Sequence, residues 1–164
     1  MEGYKEHMVK KRTTGKDRAV RILFWVLIGL SAAGAILLLQ PVFFLVTVSL
    51  YMVYRYLVYP LTDLEFEYLY CDKQLTVSKI MAKERRKDLE VLDLDKVEIL
   101  APANSYRLAD FKNREFKISQ YWSLEEETVP YVMIYEGGRK ILLDLEDDFV
   151  KIIQNNAPRK VFLD

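Results

Sequence analysis

Histidine and cysteine are almost missing from this chain of 164 residues, since each occurs once, as His7 and Cys71. A histidine general base, a nucleophilic triad and a histidine-rich metal site therefore lack their side chains. A single cysteine also excludes an internal disulfide, as is typical of a cytoplasmic domain. We predict no catalytic residue and no enzyme activity.

Glycine is also scarce, and none of the six glycines belongs to a phosphate-cradling loop, so we predict no cofactor. The pairs Asp93/Asp95 and Asp147/Asp148 are candidate ligands for a divalent cation. Acidic pairs at strand ends and helix starts mostly act as caps or remain solvated, and such a cation needs many oxygen ligands. We therefore predict no metal site.

Charge is nearly absent between Ile22 and Tyr59, where Arg55 is the only charged residue. Two apolar runs flank Gln40-Pro41, and each is about 27 Å long as a helix, close to the thickness of a bilayer core. We predict a transmembrane hairpin over 22–59, with spans at 22–39 and 42–59, and we expect Pro60 to end the second span. A cleaved signal peptide is the alternative for the first run, but a second apolar run follows at once.

The flanking charges and aromatic residues predict the orientation. Residues 1–21 form a basic tail with seven basic and three acidic residues, which favours the cytoplasm. Trp25 and the group Tyr54, Tyr56 and Tyr59 would lie at the same membrane face if the chain doubles back. We predict a multi-pass protein of the cell membrane with both termini in the cytoplasm.

Two features inside the hairpin are candidate sites. Arg55 lies about one turn from the end of its span, where its side chain can reach the headgroups; a role in a transport system is the alternative. Gly29 and Ala33 form a small-xxx-small pair that predicts close packing of the second helix, with Thr47 or Ser49 facing it. The same surface is a candidate for homo-oligomer formation.

Residues 60–164 carry 16 basic and 21 acidic residues, an acidic balance that disfavours nucleic acid as a partner. Alternating apolar residues predict strands, and Gly137-Gly138 predicts a hairpin turn. An apolar stripe on Leu145, Phe149, Ile152 and Ile153 predicts a closing helix. The fold class is a small α+β domain: an antiparallel, partly open barrel with one C-terminal helix. The predicted strands are 64–71, 74–82, 88–92, 94–100, 117–123, 131–136 and 139–144.

Two charged loops are predicted in this region. The acidic loop 125–127 is expected to be solvated. The loop Lys83-Glu84-Arg85-Arg86-Lys87 concentrates Lys83, Arg85, Arg86 and Lys87 at a hairpin tip and is a candidate contact for anionic lipid or a partner. An ordinary exposed turn is the alternative.

The run FEYLYCDKQLTVSKIMAKERRKDLEVLDLDKVEILAP, the Gly137-Gly138 hairpin and the closing helix, after a two-span hairpin, resemble bacterial membrane-anchored pleckstrin-homology-like (PH-like) domains. The ending Ala157-Pro158-Arg159-Lys160-Val161-Phe162 is similar to that of an uncharacterised family of small Firmicutes membrane proteins. The resemblance implies a seven-stranded, partly open barrel with one helix in the cytoplasm of a Gram-positive bacterium, without catalytic residues.

The expected function is non-enzymatic. A cytoplasmic domain at 60–164 would bind a protein partner or scaffold a membrane complex, because small barrels leave sheet edges available to peptides. The alternatives are an accessory subunit of a membrane transport system and a module that binds anionic lipid through residues 83–87.

Overall fold

The structure is a computed structural model that describes residues 5–125 and 128–163. The chain divides into two compact units. The first unit comprises Met1–Arg12, Glu65–Ile80 and Arg86–Asp164, and the second comprises Thr13–Leu64 and Met81–Arg85. Glu126 and Glu127 of the predicted acidic loop lie outside the described residues.

Two helices form most of the second unit. Helix α1 spans Gly15–Leu38 and helix α2 spans Pro41–Thr62, and both are long and apolar enough to cross a membrane. Leu39 adopts a left-handed conformation with φ of 50°, and Pro41 is the first residue of α2. A proline is well tolerated there because the first helical turn has no use for its missing N–H. The predicted break at Gln40-Pro41 is confirmed.

The end of α2 differs from the prediction. Pro60 does not end the helix, which continues to Thr62. Residues Tyr54–Val58, just before the proline, form a π-helix. Proline cannot donate a backbone hydrogen bond and crowds the preceding turn. The wider π turn is one way in which a helix accommodates such a break in its hydrogen-bond ladder.

The two helices pack through other residues than the predicted small pair. Gly29 and Ala33 are exposed, and a Cβ built on Gly29 would meet no atom within 4 Å. The contact instead uses Ser31, whose hydroxyl donates to the Phe43 carbonyl at 3.1 Å and accepts from Thr47 at 2.9 Å. Sequence spacing alone could not tell which face of α1 meets α2. A homo-oligomer contact at Gly29 and Ala33 stays a prediction.

The first unit contains two four-stranded sheets and a helix. The first sheet has the order β1-β2-β3-β4 and the second has the order β5-β7-β8-β6. Short 3₁₀ segments occupy Leu94–Lys96 and Tyr106–Phe111. The elements are β1 (Lys5–Lys10), β2 (Leu64–Cys71), β3 (Gln74–Met81), β4 (Arg85–Asp93), β5 (Val97–Pro102), β6 (Lys117–Tyr121), β7 (Tyr131–Tyr135), β8 (Arg139–Leu143) and α3 (Asp147–Asn156).

Strand β1 corrects the view of residues 1–21 as a separate tail. It pairs antiparallel with β2, from Lys5 opposite Tyr70 to Lys10 opposite Glu65. His7 and Val9 face inward, and Val9 packs against the main core. The charged residues Lys5, Glu6 and Lys10 hid this short amphipathic strand, because lysine and glutamate have low strand propensity.

The remaining strands follow the predicted order, and the α+β class with one C-terminal helix is confirmed. Strand β2 has the predicted bounds, whereas β4 begins at Arg85, so only Ala82–Glu84 remain as a turn. Strands β6 and β8 run parallel rather than antiparallel. Strand β7 pairs with both β5 and β8, which leaves β6 only the far edge of β8.

The core of the first unit lies between the sheets and α3, and it buries Tyr68, Leu92, Met133, Ile141 and Phe149 completely. Polar contacts also link the two sheets. The Glu90 carboxylate accepts from the Tyr121 hydroxyl at 3.0 Å and from Arg139 at 3.1 Å. The Tyr68 hydroxyl donates to the Tyr121 carbonyl and accepts from the Asp144 amide at 3.2 Å.

One carboxylate on the outer face of the first sheet is buried. Glu67 is only 4% exposed, and its carboxylate lies 2.7 Å from Arg86. Burial is the main cause that raises the pKa of Glu67, and the neighbouring carboxylate of Glu6 adds to the rise, while Arg86 opposes it. Burial thus disfavours the charged form of Glu67 relative to an exposed glutamate.

We expect Val9→Asn to lower the free energy of unfolding by about 2 kcal/mol, because it places an amide against the apolar core. Met8→Asn changes the adjacent, outward-facing residue and should cost less than about 0.5 kcal/mol. Chemical unfolding of the full chain in detergent, followed by the circular dichroism of the sheets, measures both. Equal losses for the two variants would contradict the placement of β1.

We also predict that Glu67 makes the stability depend on pH. Its pKa in the folded chain lies above the ordinary value of 4.5, so its protonation stabilises the fold fully below that value. This contribution is lost as the pH rises through the pKa of the folded state. Melting temperature plotted against pH should therefore fall less steeply with rising pH in Glu67→Gln than in the wild type. Glu65→Gln, on the same strand, is the control, and a wild-type slope in Glu67→Gln would contradict the prediction.

Candidate functional site

The predicted basic loop is divided between the two units. Lys83 and Arg85 are exposed at the β3–β4 turn and belong to the second unit, where Ala82 donates its amide to the Asp63 carbonyl at 2.8 Å. Arg86 and Lys87 belong to the first unit.

Arg86 is occupied by contacts within the first sheet. Its guanidinium lies 2.7 Å from Glu67 and 3.5 Å from Asp88, and the Ser78 hydroxyl donates to Asp88 at 2.7 Å. The hydrogen bond from Ser78 is the main cause that lowers the pKa of Asp88, and Arg86 adds to it. Arg86 thus compensates two carboxylates, and this arrangement does not leave it available as a ligand for an external anion.

Lys87 belongs instead to a group that the sequence analysis missed. We call Lys11, Lys79 and Lys87 the lysine patch. Lys11 directly follows β1, whereas Lys79 lies within β3 and Lys87 within β4. Lys11 follows Val9 at the alternate position, and Lys79 follows Leu75 and Val77 on β3. The alternation of side chains thus directs Lys11 and Lys79 to the same side of the sheet as the core.

The lysine patch carries uncompensated positive charge. Burial is the main cause that lowers the pKa of Lys79, and the charges of Lys11 and Lys87 lower it further. Among the described residues, no carboxylate forms an ion pair with any of these three lysines. Bringing like charges together costs free energy unless an anion is bound. The alternation Leu75, Val77, Lys79 was the signal in the sequence that marked this position.

Arg55 is also engaged. Within the second unit its guanidinium donates to Glu84 at 2.9 Å and lies 5.4 Å from the centre of the Tyr59 ring. The turn that carries Lys83 and Arg85 is therefore bound to the end of α2. This contact joins Arg55 to the turn that carries Lys83 and Arg85, although the sequence predicted them as independent sites.

Aromatic and cationic side chains surround the same helix end. Arg21 of α1 lies 5.5 Å from the centre of the Tyr59 ring and donates to the Thr62 hydroxyl at 2.7 Å. Trp25 meets Tyr54 edge-on, with ring centres 5.5 Å apart. The start of α1 and the end of α2 are thus adjacent, as the hairpin requires, and such residues are typical of a membrane interface.

The candidate carboxylate pairs have local partners. Asp93 caps the following 3₁₀ turn by accepting from the Asp95 amide at 2.9 Å. Asp147 accepts from the Tyr131 hydroxyl at 2.9 Å, and Asp148 pairs with Lys151 at 3.0 Å. Cys71 is exposed at the end of β2.

Comparison with known proteins places this arrangement in a family. The family described as Bacterial PH-like domain (DUF6106) matches residues 1–163. No curated protein and no solved structure matches the chain. The match includes β1 and both apolar helices as well as the two sheets and α3, so the helices are part of the family pattern. The chain therefore belongs to the family of bacterial PH-like domain proteins DUF6106.

Proposed function

We propose that this protein is a non-enzymatic membrane protein with both termini in the cytoplasm, and that its PH-like unit binds anionic lipid headgroups through the lysine patch. The uncompensated charge of Lys11, Lys79 and Lys87 is the observation that carries the proposal. PH-like domains are generally non-catalytic interaction modules, which agrees with this role. The helical hairpin would hold the unit at its target surface.

The connectivity supports the proposed orientation. Strand β1 precedes α1 and β2 follows α2, yet the two strands pair with each other. If both helices span the bilayer, the pairing requires an even number of crossings, so that β1 and β2 lie on one side. The basic residues before α1 favour the cytoplasm for that side.

Only a short segment of chain joins the strand before Lys11 to the first candidate span. Residues 11–14 alone separate β1 from α1, so Lys11 is within four residues of a candidate span. In the second unit, Arg55 holds the turn with Lys83 and Arg85 at the end of α2. If these basic residues lie at headgroup level, each of them gains roughly 1 kcal/mol of attraction to anionic lipid.

We predict that Lys79→Gln/Lys87→Gln lowers retention of anionic lipid about fivefold for each lysine removed, because each loses roughly 1 kcal/mol of attraction. The full chain is placed in phosphatidylcholine nanodiscs that contain some phosphatidylglycerol. Native mass spectrometry then counts the phosphatidylglycerol molecules that remain bound to the released protein.

The control variant is Lys73→Gln/Lys117→Gln, which removes two exposed lysines of the first unit outside the patch. It should retain lipid as the wild type does. The proposal predicts a loss that is confined to the patch variant and to anionic lipid. Equal retention in all three proteins, or equal losses in the two variants, would refute lipid binding at the patch.

A protein partner or scaffold role is the second candidate, and the position of β1 at the end of the first sheet favours it. Strand β1 ends the order of the first sheet, and Met8 on its outward face is 57% exposed. The other edge strand, β4, is linked to the second sheet through Glu90. Peptides commonly add to unpaired edges of this kind.

For this candidate we expect Met8→Asn to abolish cross-links between a partner and the lysines of β1, because the partner loses its apolar contact beside the edge. Cross-linking in native membranes, followed by mass spectrometry of the linked peptides, gives the measurement. Val91→Asn on β4 alters an equally exposed apolar residue, at 57%, and is the matched control. Partner cross-links to β1 that survive Met8→Asn would exclude docking at this edge.

A transport role for Arg55 has less support. The guanidinium that such a role would require is occupied by Glu84 and by the Tyr59 ring. An arginine held near the end of a span by these partners fits anchoring at the interface better than movement of a substrate.

A further inference from the structure

A second site lies in the first unit, on the outer face of the second sheet. A cavity of about 540 Å³ opens between that face and the 3₁₀ segment Tyr106–Phe111. Its apolar lining includes Leu108, Phe111, Val132 and Ile134, which belong to a small cluster separate from the main core. The volume is within the range of pockets that bind small molecules, about 300–1,000 Å³.

Lys140 lies in the middle of an apolar row that lines this cavity. The strand register places it directly opposite Ile134 on β7 and Ile118 on β6. Directly opposite residues share one face of a sheet. Lys140 is half-buried, and no described residue forms an ion pair or a side-chain hydrogen bond with its amino group. A cation flanked by isoleucines would gain most from an anion that brings its own apolar surface.

The other charged residues that line the cavity are also basic. Lys112 is exposed at its opening, and Arg114 donates to Glu98 at 3.0 Å while stacking on Phe111. Among the described residues, no acidic side chain lines the cavity. The positive charge of Lys140 and Lys112 is therefore left without local compensation.

Large apolar side chains are exposed beside these cations. Tyr106 is 72% exposed and Ile118 is 58% exposed, and both line the cavity. Exposed apolar surface next to a recess is characteristic of a binding site. Apolar contact area and unpaired positive charge thus occur together at one place.

We propose that this cavity binds a single-chain amphiphilic anion, whose hydrocarbon chain packs on the apolar lining and whose carboxylate or phosphate contacts Lys140 and Lys112. The size and the convergence of a few polar groups on an apolar floor favour a small ligand over a polypeptide. The inference is independent of the lysine patch, since the two groups share no residue. It adds a second ligand class to the PH-like unit.

The test uses photoreactive octanoate, a short carboxylate that carries a light-activated group, with the full chain in phosphatidylcholine nanodiscs. Peptide mass spectrometry locates the attachment points. The proposal predicts labelling of residues 106–118, competed by unlabelled octanoate or octyl phosphate and much less by octanol, which lacks the charge. The two competitors distinguish a carboxylate ligand from a phosphate ligand.

Lys140→Met removes the charge but keeps an unbranched side chain between the isoleucines, and it should weaken labelling about tenfold, as expected when a charge-assisted hydrogen bond is lost. Lys112→Met tests the second contact. Lys117→Met alters a neighbouring lysine that does not line the cavity and should leave labelling unchanged. An unaltered circular dichroism spectrum shows that Lys140→Met is folded.

Three results would overturn the proposal. Octanol could compete as well as octanoate, which would show that the charge has no role. Labelling could be confined to the apolar helices. An acidic peptide, but neither short amphiphile, could displace the label, which would identify the cavity as a peptide site.

Discussion

Pairing between β1 and β2 is the constraint on which the rest of the structure depends. It joins residues 5–10 to residues 65–70, with both apolar helices between them in the sequence. A strand before the first helix and a strand after the second can pair only if the second helix brings the chain back to the end at which the first helix begins. The first sheet of the PH-like unit therefore depends on the hairpin, because the hairpin lies between two strands that pair with each other.

This constraint also explains the division of the chain into units. The first unit takes residues from before and after the hairpin, and the second takes the hairpin together with the turn Met81–Arg85. The Arg55–Glu84 pair and the bond from Ala82 to Asp63 attach that turn to the helix end. Because both helices separate β1 from β2 in the sequence, their pairing is a long-range contact with a high cost in loop entropy. It also cannot form until β2 has been synthesised.

Basic residues that pair with a carboxylate have structural roles, whereas basic residues without an acidic partner in the described part of the chain are candidate ligand sites. Arg86, Arg139 and Arg55 each lie against a carboxylate, and these pairs hold the sheet surface, the sheet junction and the helix end. Lys79 and Lys140 are half-buried lysines for which the described part of the chain provides no acidic partner. Arginine serves the fixed pairs because its planar group holds carboxylates rigidly, whereas lysine remains a mobile point charge.

The sequence by itself determined the elements whose signals are local. Hydropathy located both helices, Gln40-Pro41 located their break, and alternation located β2 and the β7–β8 hairpin, because each depends on neighbouring residues only. Tertiary structure alone decided the role of β1, the helix face that uses Ser31 instead of Gly29, and the grouping of Lys11 with Lys79 and Lys87. These features depend on which distant segments meet, and the spacing of residues along the chain does not contain that information.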